Sequence, residues 1–130
     1  MTTIFTKIIQ RECPAYIVAE DAHHIAFLDI APVAEGHTLV VPKQAIDYFF
    51  NLPDKTMGPL MCFAKKVAKA IKKVIVCARI GMTIQGLEVP HAHLHLIPIT
   101  DQYSMDIHQP KLKIPPSKMK KIAEGISHAL

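Results

Sequence analysis

The residues His91-Ala92-His93-Leu94-His95-Leu96-Ile97-Pro98-Ile99 alternate imidazole and apolar side chains with a period of two. A β-strand sends successive side chains to opposite faces, so a strand here would carry all three imidazoles on one surface. Ala92, Leu94 and Leu96 would then anchor the other face in a core. A helix would scatter the three rings, because residues i and i+2 do not share a helical face. The stretch therefore predicts a strand that holds three titratable groups in a row.

The composition is that of a globular chain. Of the 130 residues, 50% are hydrophobic and 20% are charged, so we expect a single domain over residues 1–130 with its own core. The net charge of +4 favours a small anionic ligand and is weak evidence for nucleic acid, which we do not expect as a partner. No stretch is long enough to span a membrane and no signal peptide is apparent. Three cysteines without a Cys-x-x-Cys pair favour reduced thiols and a cytoplasmic protein.

Hydrophobic periodicity and turn residues predict the order of the elements. We expect helices over 3–10 (capped by Thr2 or Thr3), 45–50, about 57–73 (capped by Thr56) and from Ser117 onward, and strands over 16–19, 24–30, 37–43, 74–83 and 91–99. Short turns between neighbouring strands favour antiparallel pairing. The predicted fold class is therefore α+β, a five-stranded antiparallel sheet with a long central helix and a C-terminal helix.

The row of histidines admits three interpretations. The rings could be structural and satisfied by water, although histidine is not a favoured strand residue. They could bind a metal such as zinc, with two ligands from a His-x-His pair and a third from His37. They could also catalyse attack on an anionic phosphorus centre, because a neutral imidazole is a nucleophile and an imidazolium holds phosphate oxygens.

Residues 91–97 resemble the histidine triad signature of the HIT superfamily of nucleotide hydrolases and transferases. Three further segments resemble that family in the same order, namely residues 3–9 with its opening helix, 27–30 with its ribose-binding segment and 36–43 with its fourth-histidine strand. The resemblance implies the HIT-like fold, a homodimer and a purine nucleotide substrate. It implies no required cofactor, with a divalent metal left open.

The resemblance also implies a role for particular residues. His93 would attack the α-phosphate of a nucleoside phosphate (a phosphoramidate or a phosphoanhydride), giving a nucleotidyl-histidine that water resolves. His91 and His95 would contact the phosphate and manage the proton of the leaving group, in an unassigned division, and His37 would hold their tautomers. Asp29 would bind the ribose hydroxyls. The base pocket would be lined by Phe5, Ile8, Phe27, Ile30 and Leu39, for which plain core packing is the alternative.

Two residues before the triad depart from the family pattern. Leu87 stands where a glutamine is common, and Glu88 replaces a hydroxyl residue that helps to bind phosphate. We count Glu88 among the nucleotide-binding residues, although a carboxylate there repels an anion unless it is paired or turned away. The departure leaves a second hypothesis open, a purine-nucleotide-binding module with little or no turnover. A metal-binding histidine site is the third.

Overall fold

The protein is built on one antiparallel sheet in a computed structural model that describes residues 2–130. Its strands are β1 (Ile17–Glu20), β2 (His24–Leu28), β3 (Thr38–Pro42), β4 (Arg79–Thr83) and β5 (Leu94–Ile99), and its helices are α1 (Ile4–Ile9), α2 (Asp54–Val74) and α3 (Pro116–His128). The strand order is β1-β2-β3-β5-β4, with every neighbouring pair antiparallel. The predicted α+β fold, with its five strands and its central and C-terminal helices, is confirmed.

Helix α1 begins where the sequence predicts. The Thr3 side chain accepts a hydrogen bond from the Thr6 amide at 3.3 Å, and the Thr3 amide donates to the Thr6 hydroxyl at 2.9 Å. This reciprocal pair satisfies amides that the first helical turn leaves without partners. It fixes the start of the helix, which buries Phe5 and Ile8 against the sheet.

The predicted caps of the two longer helices are wrong. Helix α2 begins at Asp54, and the amide and hydroxyl of Thr56 both donate to the Pro53 carbonyl, at 2.9 and 2.7 Å. Helix α3 begins at Pro116, with Ser117 already inside it. Proline suits a first helical position because its missing N–H would have had no partner there.

Three other element boundaries also differ from the prediction. Residues 45–50 form no α-helix, and only a 3₁₀ turn at Phe49–Asn51 overlaps their end. Val74 continues α2, so the strand expected over 74–83 is confined to Arg79–Thr83. Strand β2 ends at Leu28 rather than residue 30, because the Asp29 carboxylate accepts the Ala31 amide at 2.9 Å and turns the chain.

The sheet buries both of its faces. One face packs against α2 and α3, and its largest fully buried side chains include Leu28, Leu94 and Leu96. The opposite face packs against α1 and carries Ile25 and Phe27. Among residues 2–130, no helix has both the length and the apolar character that a membrane span requires.

Gly36 lies in the loop before β3 and packs close to the end of α2. Its φ of +89° is a backbone conformation that side chains with a Cβ rarely adopt. A Cβ at this position would also lie 2.8 Å from Cγ1 of Ile75, the residue that ends α2. Glycine is therefore required at this position, and it directly precedes His37.

Candidate active site

The triad segment straddles the start of β5. Leu94 begins the strand, so His91 and His93 lie just before it and His95 lies within it. Ala92 and Leu94 belong to the core on the α2 face, as the alternation predicts. The rings of His93 and His95 are neighbours on the opposite face, with centroids 5.2 Å apart. The period of two thus brings two of the three imidazoles together.

His37 and His95 are joined by a hydrogen bond whose direction the surroundings determine. The Val33 amide donates to Nδ1 of His37 at 3.1 Å, so this nitrogen carries no proton. The proton of neutral His37 is then on Nε2, which donates to Nδ1 of His95 at 2.9 Å. His95 must in turn carry its proton on Nε2. These tautomers, assigned from the hydrogen bonds, leave an N–H of His95 free to donate.

His93 has the opposite tautomer to His95. Its Nδ1 lies 2.7 Å from the carbonyl oxygen of His91, which can only accept, so Nδ1 carries the proton. Nε2 of His93 therefore holds an unprotonated lone pair. A lone pair on one ring beside an N–H on the next is a pairing that suits nucleophilic attack with proton donation.

The ring of His91 points away from these two atoms. It is 1% exposed, and its Nε2 donates to the Pro42 carbonyl at 2.7 Å. Its Nδ1 is buried without a hydrogen-bond partner among the described residues. The carbonyl of His91 orients His93, and the phosphate contact expected of the His91 side chain stays a prediction.

Burial keeps the rings of His37, His93 and His95 neutral. It lowers the pKa of His37 to about 4, and the charge of Lys111 acts in the same direction. Burial, then repulsion by His37 and His93, lowers the pKa of His95 to about 4. The pKa of His93 is also lowered by burial, against the opposing hydrogen bond to His91 and the negative charges of Asp29 and Glu88.

The residues expected to line the base pocket are divided between a closed cluster and the surface. Phe5, Ile8, Phe27 and Leu39 are all buried in one apolar cluster. The Phe5 ring lies edge-on to His93 with centroids 4.9 Å apart. Ile30 lies outside the cluster and is 80% exposed. Their packing supports the triad, and their role as a pocket stays a prediction.

Two acidic residues flank the histidines. Oδ2 of Asp29 lies 3.6 Å from Nε2 of His37, and this side chain is 21% exposed. Glu88 is exposed and lines a small cavity with His93 and His95. Glu88 therefore lies at the cavity where the phosphate is predicted to bind.

The sequence did not reveal several residues around this cavity. Ile107 and His108 complete its lining, and the charge of Lys111 reaches His37 and His95. All three belong to residues 101–116, a polar segment with prolines and no hydrophobic period that could have placed it. The Val33 amide and the Pro42 carbonyl are backbone groups, and no side-chain motif marks them.

A metal site at these residues does not fit the hydrogen bonds. Asp29, His37 and His95 offer ligand atoms within 4.8 Å of one another. Both ring nitrogens of His37 are already engaged, one by the Val33 amide and the other by His95. An ion bound to His37 would have to break one of these bonds, so we assign no catalytic step to a metal.

Comparisons with known proteins show the family and the fold of the chain. A model of the HIT domain family matches residues 10–102. The chain is 35% identical over 130 residues to adenosine 5′-monophosphoramidase hnt1 of Schizosaccharomyces pombe, covering 98% of this chain and 97% of that one. It is 33% identical to a solved Hit-like protein involved in cell-cycle regulation from Bartonella henselae, with a TM-score of 0.84 and coverage of 99% and 97%. A hypothetical histidine triad nucleotide-binding protein from Sulfolobus tokodaii is 28% identical, with a TM-score of 0.85 and coverage of 97% and 90%.

The lowered pKa values predict that acid destabilises the fold. Below the ordinary histidine pKa of about 6.5 the unfolded chain takes up protons at His37 and His95, whereas the folded protein does so only near pH 4. The contribution of the two neutral histidines to the free energy of unfolding is fully present above about pH 6.5. It is lost as the pH falls toward about 4. One such histidine should lower the free energy of unfolding by about 2 kcal/mol between about pH 7 and pH 5.

Urea denaturation at the two pH values measures this slope. His95→Gln should flatten the slope, whereas His108→Gln should leave it unchanged because that exposed ring lies outside the hydrogen-bonded pair. Equal slopes in the two variants would contradict the prediction.

Proposed function

This chain belongs to the HIT domain family, and from that premise we propose that it is a hydrolase of purine nucleoside phosphoramidates. The observation that carries the proposal is the pairing of an unprotonated Nε2 on His93 with an Nε2–H on His95, in neighbouring rings at the same cavity. The family relative named as an adenosine 5′-monophosphoramidase supports this substrate class.

The proposed reaction proceeds through a covalent nucleotidyl-histidine. Nε2 of His93 attacks the α-phosphorus as the bond from phosphorus to the leaving nitrogen breaks. The negative phosphate raises the pKa of the His37–His95 pair, so the pair takes up one proton from solvent when the substrate binds. His95 passes that proton to the leaving nitrogen and the pair returns to its neutral form. Water then attacks the phosphorus, gives its proton to the same pair and releases His93. His91 acts through its carbonyl, which holds the proton of His93 on Nδ1.

A second candidate function is nucleotide binding with little turnover. The position of Glu88 favours it, because a carboxylate beside the phosphate site opposes the approach of an anionic substrate. Leu87 also lacks the polar side chain that the family pattern has at this position. Turnover by the unmodified protein decides between the two candidates.

We also propose that the chain forms a homodimer through β4. This strand is at an edge of the sheet, where its outer backbone groups are available for pairing with a second copy. Apolar residues such as Met61 and Met82, both exposed, lie beside that edge. Sedimentation equilibrium that gave only the monomer mass at micromolar concentration would rule this assembly out.

Replacing His93 tests the nucleophile. His93→Ala should reduce hydrolysis of adenosine 5′-phosphoramidate by more than about 10³-fold, because no other ring of the triad presents a lone pair to the cavity. AMP binding, measured by calorimetry, should persist. His108→Ala, which alters the same cavity outside the triad, is the matched control and should retain most of the activity. Undiminished hydrolysis by His93→Ala would refute the mechanism, and AMP binding without turnover in the unmodified protein would favour the second candidate.

The assigned tautomers predict that His95 matters most when the leaving group needs a proton. His95→Gln should slow release of an amine by about 10²-fold or more, because glutamine cannot transfer a proton. Release of nitrophenolate from the nitrophenyl ester of AMP should slow much less, since that group leaves as an anion. The ratio of the two kcat values measures the effect. Equal slowing of both substrates would show that His95 only positions the phosphate.

A further inference from the structure

A cleft lined by exposed aromatic side chains opens beside His93, away from the predicted base pocket. We call it the aromatic cleft. Its walls are residues 47–50 and 84–87, its floor is Ala92 and His93, and its volume is about 430 Å³. That volume is in the range of sites that hold small organic molecules. None of Phe5, Ile8, Phe27 or Leu39 contributes to its lining.

The apolar residues of the aromatic cleft are unusually exposed. Tyr48, Phe50 and Leu87 are 60%, 68% and 83% exposed, although each belongs to a residue type that is usually at least half-buried. The rings of Tyr48 and Phe50 are in edge-to-face contact, with centroids 5.7 Å apart. Grouped apolar side chains that remain open to solvent mark a binding surface.

The aromatic wall is held rigidly against the triad. The Ala92 amide donates to the Ile46 carbonyl at 2.6 Å, which ties the segment to the residue before His93. Phe49 and Leu52 anchor the other end in the core, where they are 5% and 3% exposed. Tyr48 and Phe50 are therefore presented to solvent by a backbone fixed on both sides, which lowers the entropic cost of binding a ligand there.

The charges in and near the aromatic cleft exclude an anionic occupant. Among the described residues that line it there is no lysine or arginine, and Asp47 is acidic. Glu88 lines the adjoining cavity, which shares His93 and residues 85–87 with the cleft. A polyphosphate leaving group would meet the carboxylates of Asp47 and Glu88 and no lysine or arginine among the lining residues, whereas a neutral or cationic amine meets no repulsion from them.

We propose that the aromatic cleft binds the leaving amine of the substrate and selects an amine that carries an aromatic or other apolar group. This inference rests on the proposed phosphoramidase function and assigns the leaving-group side of that site. As the phosphorus–nitrogen bond breaks, phosphorus bonds to Nε2 of His93 and the leaving nitrogen takes one proton from the His37–His95 pair. The free amine then departs along Tyr48 and Phe50.

Two substrates that differ only in the leaving amine test the assignment. One is adenosine 5′-phosphoramidate, which releases ammonia, and the other is its N-(2-phenylethyl) derivative. Phe50→Ala and Tyr48→Ala should each lower kcat/KM for the phenylethyl substrate by about tenfold and leave the parent substrate nearly unchanged. Tyr103→Ala is the matched control, because that side chain is 68% exposed outside the cleft and should affect neither substrate.

Three results would overturn the inference. Turnover of both substrates without a selective loss in Phe50→Ala would overturn it while leaving the proposed function intact. A lower affinity of Phe50→Ala for AMP, which has no leaving amine, would show that the cleft holds the nucleoside instead. No turnover of either substrate by the unmodified protein would overturn the proposed function and this inference together.

Discussion

The chemistry of this site depends on one backbone hydrogen bond. Because the Val33 amide donates to His37, the proton of His37 must lie on its other nitrogen, and the proton of His95 is displaced to the atom that faces the cavity. The carbonyl of His91 imposes the reverse arrangement on His93. Two adjacent and chemically identical side chains thus become a donor and an acceptor. The difference originates in main-chain groups, directly for His93 and through the ring of His37 for His95.

The fold supplies the rigidity that the separate donor and acceptor roles of His95 and His93 require. Strands β3 and β5 are buried on both faces, and burial beside them holds His37, His93 and His95 neutral. A neutral ring keeps its lone pair for attack, whereas a protonated ring would lose it. Burial costs little for a neutral imidazole that has a hydrogen-bond partner. The same packing that stabilises the sheet therefore also sets the protonation state that the proposed reaction requires.

The sequence predicted those elements in which side-chain types recur at a regular spacing. Alternation placed His93 and His95 on one face, and the helical stripe located α2. Capping failed as a guide at Thr56 and Ser117, because proline and backbone geometry there outweighed the side-chain preference. The position of His91 was also unpredictable, since its ring bonds to a carbonyl on β3 that is distant in sequence. The walls of the aromatic cleft were not predicted, because the apolar residues around Phe49 are equally consistent with a short helix.

The close packing of Gly36 against Ile75 connects the loop before β3 with the C-terminal end of α2. Gly36 directly precedes His37, and Ile75 is the residue that directly follows α2, the longest helix. A side chain at residue 36 would collide with Ile75 and would displace the backbone that leads into His37. The missing Cβ of Gly36 therefore lets the loop before His37 pack closely against the end of the central helix.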